Sequence, residues 1–598
     1  MEFLNGIRLG EYELDPEKVI DEIYEKCVVG RKNYTAISVR RTDIPDEKFY
    51  EWAKYLAENK IYFHFAWGQY EPSPFSIPAV SEIKRIAGEY FLGIELPELG
   101  TIFGCAGKKY VHSPHFHNYE RLGEGKRDFI KIVKEAKDAY GYPEDIGFTF
   151  TEATSLLSYL TDVGVFMFSL ETMCGNVEIM TPLIRGAARC AEKPYMNYIA
   201  HEWYGGVYND DELKKKRLRM VYDHSYMNGA SAIIIESGDL CMNSHGMKQE
   251  YDGELPTFYR RTVDEFTDFV EKDKRPESLP SVKVAFVQGN LDGWSPWNAG
   301  SALWNNVNDE DYGYSAPEFT NRILFETLNK RSWGDVHNFG DKDYSGFVPY
   351  DIVNAAYLTK ENVSSYDYLI FTGWNTMTPE IYETLISFVK GGGKLFMCAA
   401  HLNTTEKRNG EISLINGGDV AELFGARLDA KNIHRTNAGV KFSKSISPDI
   451  IYPADKVFDP LFSSGYANYA NVTLDGGVAS CILSDSFYEG YSSEGGVAIV
   501  ENKIGEGCAI LLASLDYPGK GQTYDIYRTV VRELLSASQR NAPVKVIGGD
   551  KLRYSVYEEG DIYLLNTDFD IPVFAEVEKN GKKKRFTLEP CELKHIKI

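Results

Sequence analysis

Apolar positions along the first 275 residues switch repeatedly between two periods. Runs that are apolar continuously or at every second residue read as strands, and runs apolar at every third or fourth residue read as amphipathic helices. The strand-like runs are Phe3–Leu9, Tyr34–Val39, Ile61–Ala66, Tyr90–Leu96, Ile146–Thr151, Val163–Ser169, Met196–Ile199 and Ala230–Ile235. Helical stripes separate them. Asp15-Pro16 opens the first helix as N-cap and N1 residue, with Val19, Ile20, Ile23, Tyr24 and Cys27 on one face. Phe49, Trp52, Ala53 and Leu56 mark the second, and Gly229 closes a charged helix over 211–228. Eight strand–helix pairs in this length predict a (β/α)8 barrel. The competing architecture is a doubly wound open sheet. It usually carries a Gly-rich phosphate turn after its first strand, and no GxGxxG follows Leu9.

Arg275–Pro280 reads as a linker. Beyond it, Val282–Val287, Tyr366–Thr372 and Lys394–Cys398 are buried strands, with a helix opened by Thr378-Pro379 and stopped at Gly391 between the last two. This βαβ unit predicts a second, parallel α/β domain. From about Ala542 short alternating runs separated by turns such as Asn580-Gly581 predict an antiparallel β domain too small to stand alone. The expected organisation is a barrel over 1–275, an α/β domain over 281–540 and a β domain over 541–598.

Composition narrows the function. A net charge of −22 argues against nucleic-acid or anionic-membrane partners. No apolar run is long enough to span a membrane, and the first residues carry neither a basic nor an apolar signal region. Nine Cys without metal-site spacing read as free thiols, and the expected location is cytoplasmic. Aromatic content of 13% suits carbohydrate surfaces, although most rings will be core.

In a barrel of this kind the chemistry lies at the C-terminal strand ends. Strand four ends in GIELPELG, with Glu95 and Glu98. Strand five ends at Glu152, strand six at Glu171, strand seven at Glu202 and strand eight at Glu236. Arg40 closes strand two and Trp67 strand three, and His201, Trp203 and Tyr204 flank Glu202. Glu is seldom buried without a partner, so five successive carboxylate-bearing ends point to a shared task. Paired carboxyls with aromatic walls are the equipment of glycoside hydrolysis. Two plainer readings compete: helix N-capping by Glu152 and Glu171, and a metal site. His112, His115 and His117 in VHSPHFH carry a zinc-like spacing, but no helix presents them and no bound metal or cofactor is expected.

Three segments resemble clan-A glycosidases, and specifically glycoside hydrolase family 42. GIELPELG resembles the strand-four acid/base segment, with Glu98 at the Glu position and Gly100 at the Gly position. PYMNYIAHEW resembles the strand-seven nucleophile segment, with Glu202 in that role. DHSYMNGASAIIIESG, followed by Ser244-His245-Gly246-Met247, resembles the strand-eight region. Pro97 and Leu99 depart from the family pattern around the acid/base, and Glu236 departs at strand eight. Glu95 is therefore a rival to Glu98, and Glu171 or Glu236 to Glu202. The resemblance implies a barrel, an amidotransferase-like assembly domain and a small β domain, forming a homo-oligomer, a trimer in the family. It implies a retaining, exo-acting β-glycosidase on a carbohydrate substrate, β-galactoside first and β-mannoside next. Trp67, Trp203 and Tyr204 would wall the sugar; Arg40, Glu95, Glu152, Glu171, His201 and Glu236 would hold it. The alternatives are a decayed, sugar-binding barrel and a metal-dependent barrel hydrolase. Cys398 lacks the sharp elbow of an amidotransferase nucleophile and reads as a core thiol.

Overall fold

The computed structural model describes residues 2–9, 32–39, 44–67, 75–96, 99, 119–172, 176–201, 212–236, 242–243, 248–249, 253–294, 316–325, 348–407, 410–436, 439–453, 457–458, 467–484, 496–518 and 523–598. Eight parallel strands close into a barrel in chain order: β1 (Leu4–Leu9), β2 (Tyr34–Val39), β3 (Tyr62–Trp67), β4 (Phe91–Leu96), β5 (Phe148–Glu152), β6 (Phe168–Glu171), β7 (Tyr195–Ile199) and β8 (Ala232–Ile235). β8 pairs with β1, which completes the ring. Both faces of each strand are buried, as a parallel sheet under helices requires. Ile7, Ile37, Phe65, Ile94, Phe150, Leu170, Ile199 and Ile235 face the helices, while Leu4, Tyr34, Met196, Tyr198 and Ile234 fill the barrel's interior.

One strand is shorter than its apolar pattern suggests. The run from Val163 predicts β6 through Ser169, but Gly164 takes a positive φ of 77° and turns the chain, and β6 begins at Phe168. Before it, Ser155–Asp162 forms a 3-10 helix capped by Thr154, whose hydroxyl accepts from the Leu156 N–H at 3.2 Å.

A second, mixed sheet of nine strands follows. Its parallel part runs Tyr350–Asn354, Val284–Gln288, Tyr368–Phe371, Lys394–Cys398 and Gly507–Leu512, a flavodoxin-like order. Antiparallel strands Val497–Ile504, Val478–Ser484, Gly439–Phe442 and Val457–Phe458 extend it. Beyond Val544 the chain forms two three-stranded antiparallel sheets. No described helix is long and apolar enough to cross a membrane.

The barrel helix Val177–Ala191 supports the other parts of the chain. Arg185 Nε donates to Asp351 Oδ1 at 2.6 Å, and Arg189 Nε to Asp351 Oδ2 at 2.9 Å, on the first strand of the second sheet. At the start of the same helix, buried Glu178 pairs with Arg553 of the C-terminal sheets. Gly186 is required there, because a Cβ would lie 2.1 Å from the Ile352 carbonyl oxygen. Tyr557 adds a hydrogen bond to the Met227 carbonyl at 3.0 Å, and Tyr563 one to Asp273 at 2.7 Å.

Candidate active site

Pleating sends alternate residues into the barrel, so parity decides which strand-end residues can meet. Glu171 continues the inward face of Met167 and Ser169, and Glu236 that of Ala232 and Ile234. Glu95 also points inward: its carboxylate bonds to Arg8 of β1 and His64 of β3. Glu152 and His201 do not join them. Glu152 shares its face with Phe148 and Phe150, under the helices, and takes a 3.4 Å hydrogen bond from the Thr154 hydroxyl. His201, one residue beyond inward Ala200, packs edge-on against Tyr259 of the helix Glu254–Lys272 at 5.4 Å. Both sit at strand ends, but on the wrong side of the pleat for the ring of carboxylates expected at the mouth. Arg40, Glu98, Glu202, Trp203 and Tyr204 lie outside the described residues, as do the side chain of Trp67 and His112, His115 and His117.

The interior below the mouth is polar on seven strands. Arg8 Nε donates to Ser38 Oγ at 2.7 Å, and Nη1 donates to Glu95 Oε1 at 3.1 Å. His64 Nε2 meets Glu95 Oε2 at 2.8 Å, and the Tyr34 hydroxyl meets His64 Nδ1 at 2.7 Å. The Thr151 and Ser169 hydroxyls bond at 2.9 Å, and Arg8 lies over the Tyr198 ring at 5.1 Å. Arg8, Ser38, His64, Tyr34 and Tyr198 are thus part of the site, although the strand-end reading missed them. The signal was available: Arg8 falls at an inward position of β1, and His64 interrupts the apolar strand YFHFAW.

Burial alone would raise the Glu95 carboxyl, but the Arg8 guanidinium, then His64 and Thr151, outweigh it and hold the group down to about 2. A general acid needs a proton near its working pH. Glu95, held ionised between Arg8 and His64, does not match that requirement. The same shift predicts a pH dependence. A depressed carboxylate contributes stability that is complete above its unfolded value of about 4.3 and is lost as pH falls through its folded value. The stake is about 3 kcal/mol. Between pH 5 and pH 2 the urea midpoint of the parent should fall more steeply than that of Glu95→Gln; parallel curves would refute the assignment.

The second sheet offers no rival site at Cys398. His401 Nε2–H donates to the Gly373 carbonyl at 2.6 Å, so Nδ1 is the accepting nitrogen, and it takes the Cys398 N–H at 3.0 Å and the thiol at 3.2 Å. Burial pushes the thiol well up and His401 down to about 3, so the pair stays neutral. Cys398 has extended backbone angles of −103° and 164°, not a strained elbow. Where the strand order reverses, the Asn290 N–H donates to Asn375 Oδ1 at 3.3 Å and the Thr376 N–H to Asn290 Oδ1 at 3.1 Å, and Trp374 is buried. Among the described residues no group of three His, Cys, Asp or Glu side chains could hold a metal ion.

No protein-family model matches the chain, and no curated protein matches it in sequence. Solved structures do. A β-galactosidase from the Antarctic haloarchaeon Halorubrum lacusprofundi superposes with a TM-score of 0.62 at 12% identity, covering 100% of this chain and 99% of that one. A GH42 β-galactosidase from G. stearothermophilus gives 0.61 at 12% identity, over 99% and 98% of the two chains. This chain has the fold of the family 42 β-galactosidases. The likeness is one of fold, since only about one residue in eight is shared. The family 42 likeness spans barrel, second sheet and C-terminal sheets alike, so all three belong to the shared architecture. An α-L-fucosidase from Paenibacillus thiaminolyticus is also similar, with a TM-score of 0.55 at 12% identity over 100% and 99% of the chains.

Proposed function

We propose that this protein is a retaining, exo-acting β-glycosidase, with Glu98 as acid/base and Glu202 as nucleophile. The observation that carries the reading is the inward polar layer with Glu171 and Glu236 at the C-terminal end of a barrel in the family 42 fold. Glu98 protonates the leaving oxygen while Glu202 attacks the anomeric carbon; Glu98 then takes a proton from the water that releases the sugar. Arg8, Arg40, Glu171 and Glu236 hold hydroxyls, and Trp67, Trp203 and Tyr204 stack on the ring. The barrel over 1–275 carries this chemistry. The domain over 281–540 serves assembly, as a trimer, and the β domain over 541–598 braces the barrel. The reading places the protein in the cytoplasm.

A terminal β-galactoside is the first substrate, a β-mannoside the second. The fucosidase on the same fold makes the sugar an open choice for this architecture, so the test must sample it. A panel of chromogenic α- and β-glycosides, including the α-L-fucoside, should show turnover of one β-hexoside. Release only of α-L-fucose would overturn the β-assignment, and silence on every sugar would count against the hydrolase itself.

A further inference from the structure

Beneath the mouth, the side chains of Arg8, Glu95 and His64 form one closed chain of contacts. Each carboxylate oxygen of Glu95 has its own partner, Arg8 at 3.1 Å and His64 at 2.8 Å. The second nitrogen of His64 faces the Tyr34 hydroxyl at 2.7 Å, so both ring nitrogens are engaged, and the same hydroxyl lies 3.4 Å from Met196 Sδ. Arg8 is fixed in its plane by Ser38 and Glu95 and on its face by the Tyr198 ring at 5.1 Å. Exposure rises along the chain, from 0% for His64 through 7% for Glu95 to 14% for Arg8. The guanidinium is therefore the end nearest the mouth, His64 is the buried end, and Glu95, with both oxygens engaged, lies between them.

We propose that Glu95 is a positioning residue that acts through Arg8: with His64 it makes a fixed anionic socket that holds the guanidinium where the substrate's hydroxyls bind. The proposal rests on the glycosidase reading and reassigns Glu95 from sugar contact to support. A buried ion pair is a poor source of stability compared with apolar packing. One layer away the barrel interior is filled with Leu4, Met196 and Ala232, so an apolar alternative at this level was structurally open. A planar guanidinium gives directional donors to vicinal hydroxyls, which a mobile ammonium does not. Preorganising it requires a socket that does not rotate, and both oxygens of Glu95 and both ring nitrogens of His64 are engaged.

The test is chemical rescue. Arg8→Ala should lower kcat/KM about 100-fold, the loss of charge-assisted hydrogen bonds to substrate. Low-millimolar guanidinium should restore turnover saturably, because the emptied socket recaptures the ion. The double variant Arg8→Ala with Glu95→Gln should not respond. Arg8→Lys keeps the charge and should fold with a Tm near the parent's, yet stay at least about tenfold down. A readout independent of catalysis accompanies these: guanidinium should raise the Tm of Arg8→Ala saturably and leave that of the double variant unmoved. With an active parent, Arg8→Ala within about threefold of it, or equal rescue of the double variant, would overturn the positioning role alone. A parent inactive on every glycoside would overturn the glycosidase reading and this role with it.

Discussion

Glu202→Gln is expected to lower kcat on the order of 10³-fold or more, with Tm and sugar binding close to the parent's. The substitution keeps the volume of the side chain and replaces the carboxylate that attacks the anomeric carbon by a neutral amide. A merely structural Glu at the end of β7 would show the reverse pattern, a lowered Tm with turnover retained. Azide separates the two catalytic roles. Added to Glu202→Ala, it occupies the space of the missing carboxylate and attacks directly, giving the α-glycosyl azide. Added to Glu98→Ala, it attacks the covalent intermediate that Glu202 still forms, giving the β-glycosyl azide. Near-normal turnover by Glu202→Gln would move the nucleophile to Glu171 or Glu236, inward carboxylates on β6 and β8.

Asp351→Asn should cost about 3–5 kcal/mol of stability, the usual penalty for removing one partner from a buried ion cluster. Asp351 is fully buried and holds both Arg185 and Arg189, and it takes the Tyr366 hydroxyl at 2.9 Å. With the charge gone, Arg185 remains in an interface where it is 1% exposed, still donating to the Tyr350 carbonyl at 2.5 Å and to Asn228, but without its anion. The urea midpoint should fall while kcat per folded chain is unchanged, because the cluster lies on the helix side of the barrel. A midpoint within experimental error of the parent's would show that the two arginines find another counter-charge.

The two kinds of site information came from different levels. Period-two and period-3.6 patterns are local, so Tyr34–Val39 or Tyr195–Ile199 could be read as strands from a few residues each, and eight such units imply a barrel. The same local logic stopped short at Val163–Ser169, where a glycine turn inside an apolar run decided the boundary. Strands far from any helix signal, Tyr350–Asn354 and the outer antiparallel strands Val478–Ser484, Gly439–Phe442 and Val457–Phe458, were also missed. Their stability comes from partners distant in sequence, such as the pairing of Val284 with Tyr350.

For the candidate site, the sequence by itself determined the inventory: a run of carboxylates at strand ends, aromatic neighbours, and segments resembling a glycosidase family. It could not sort them, because a strand end names a position along the barrel axis and not a direction across the wall. Only the closed barrel did that. It turned Glu95, Glu171 and Glu236 inward and left Glu152 and His201 against the helices. It also joined Arg8, His64 and Glu95 across 87 residues of sequence, close enough that one carboxylate is held ionised by the other two side chains. The physical reason is the pleat: one residue of register reverses which side of the wall a side chain occupies, and in strands buried on both faces the apolar pattern does not say which face is inward until the ring closes.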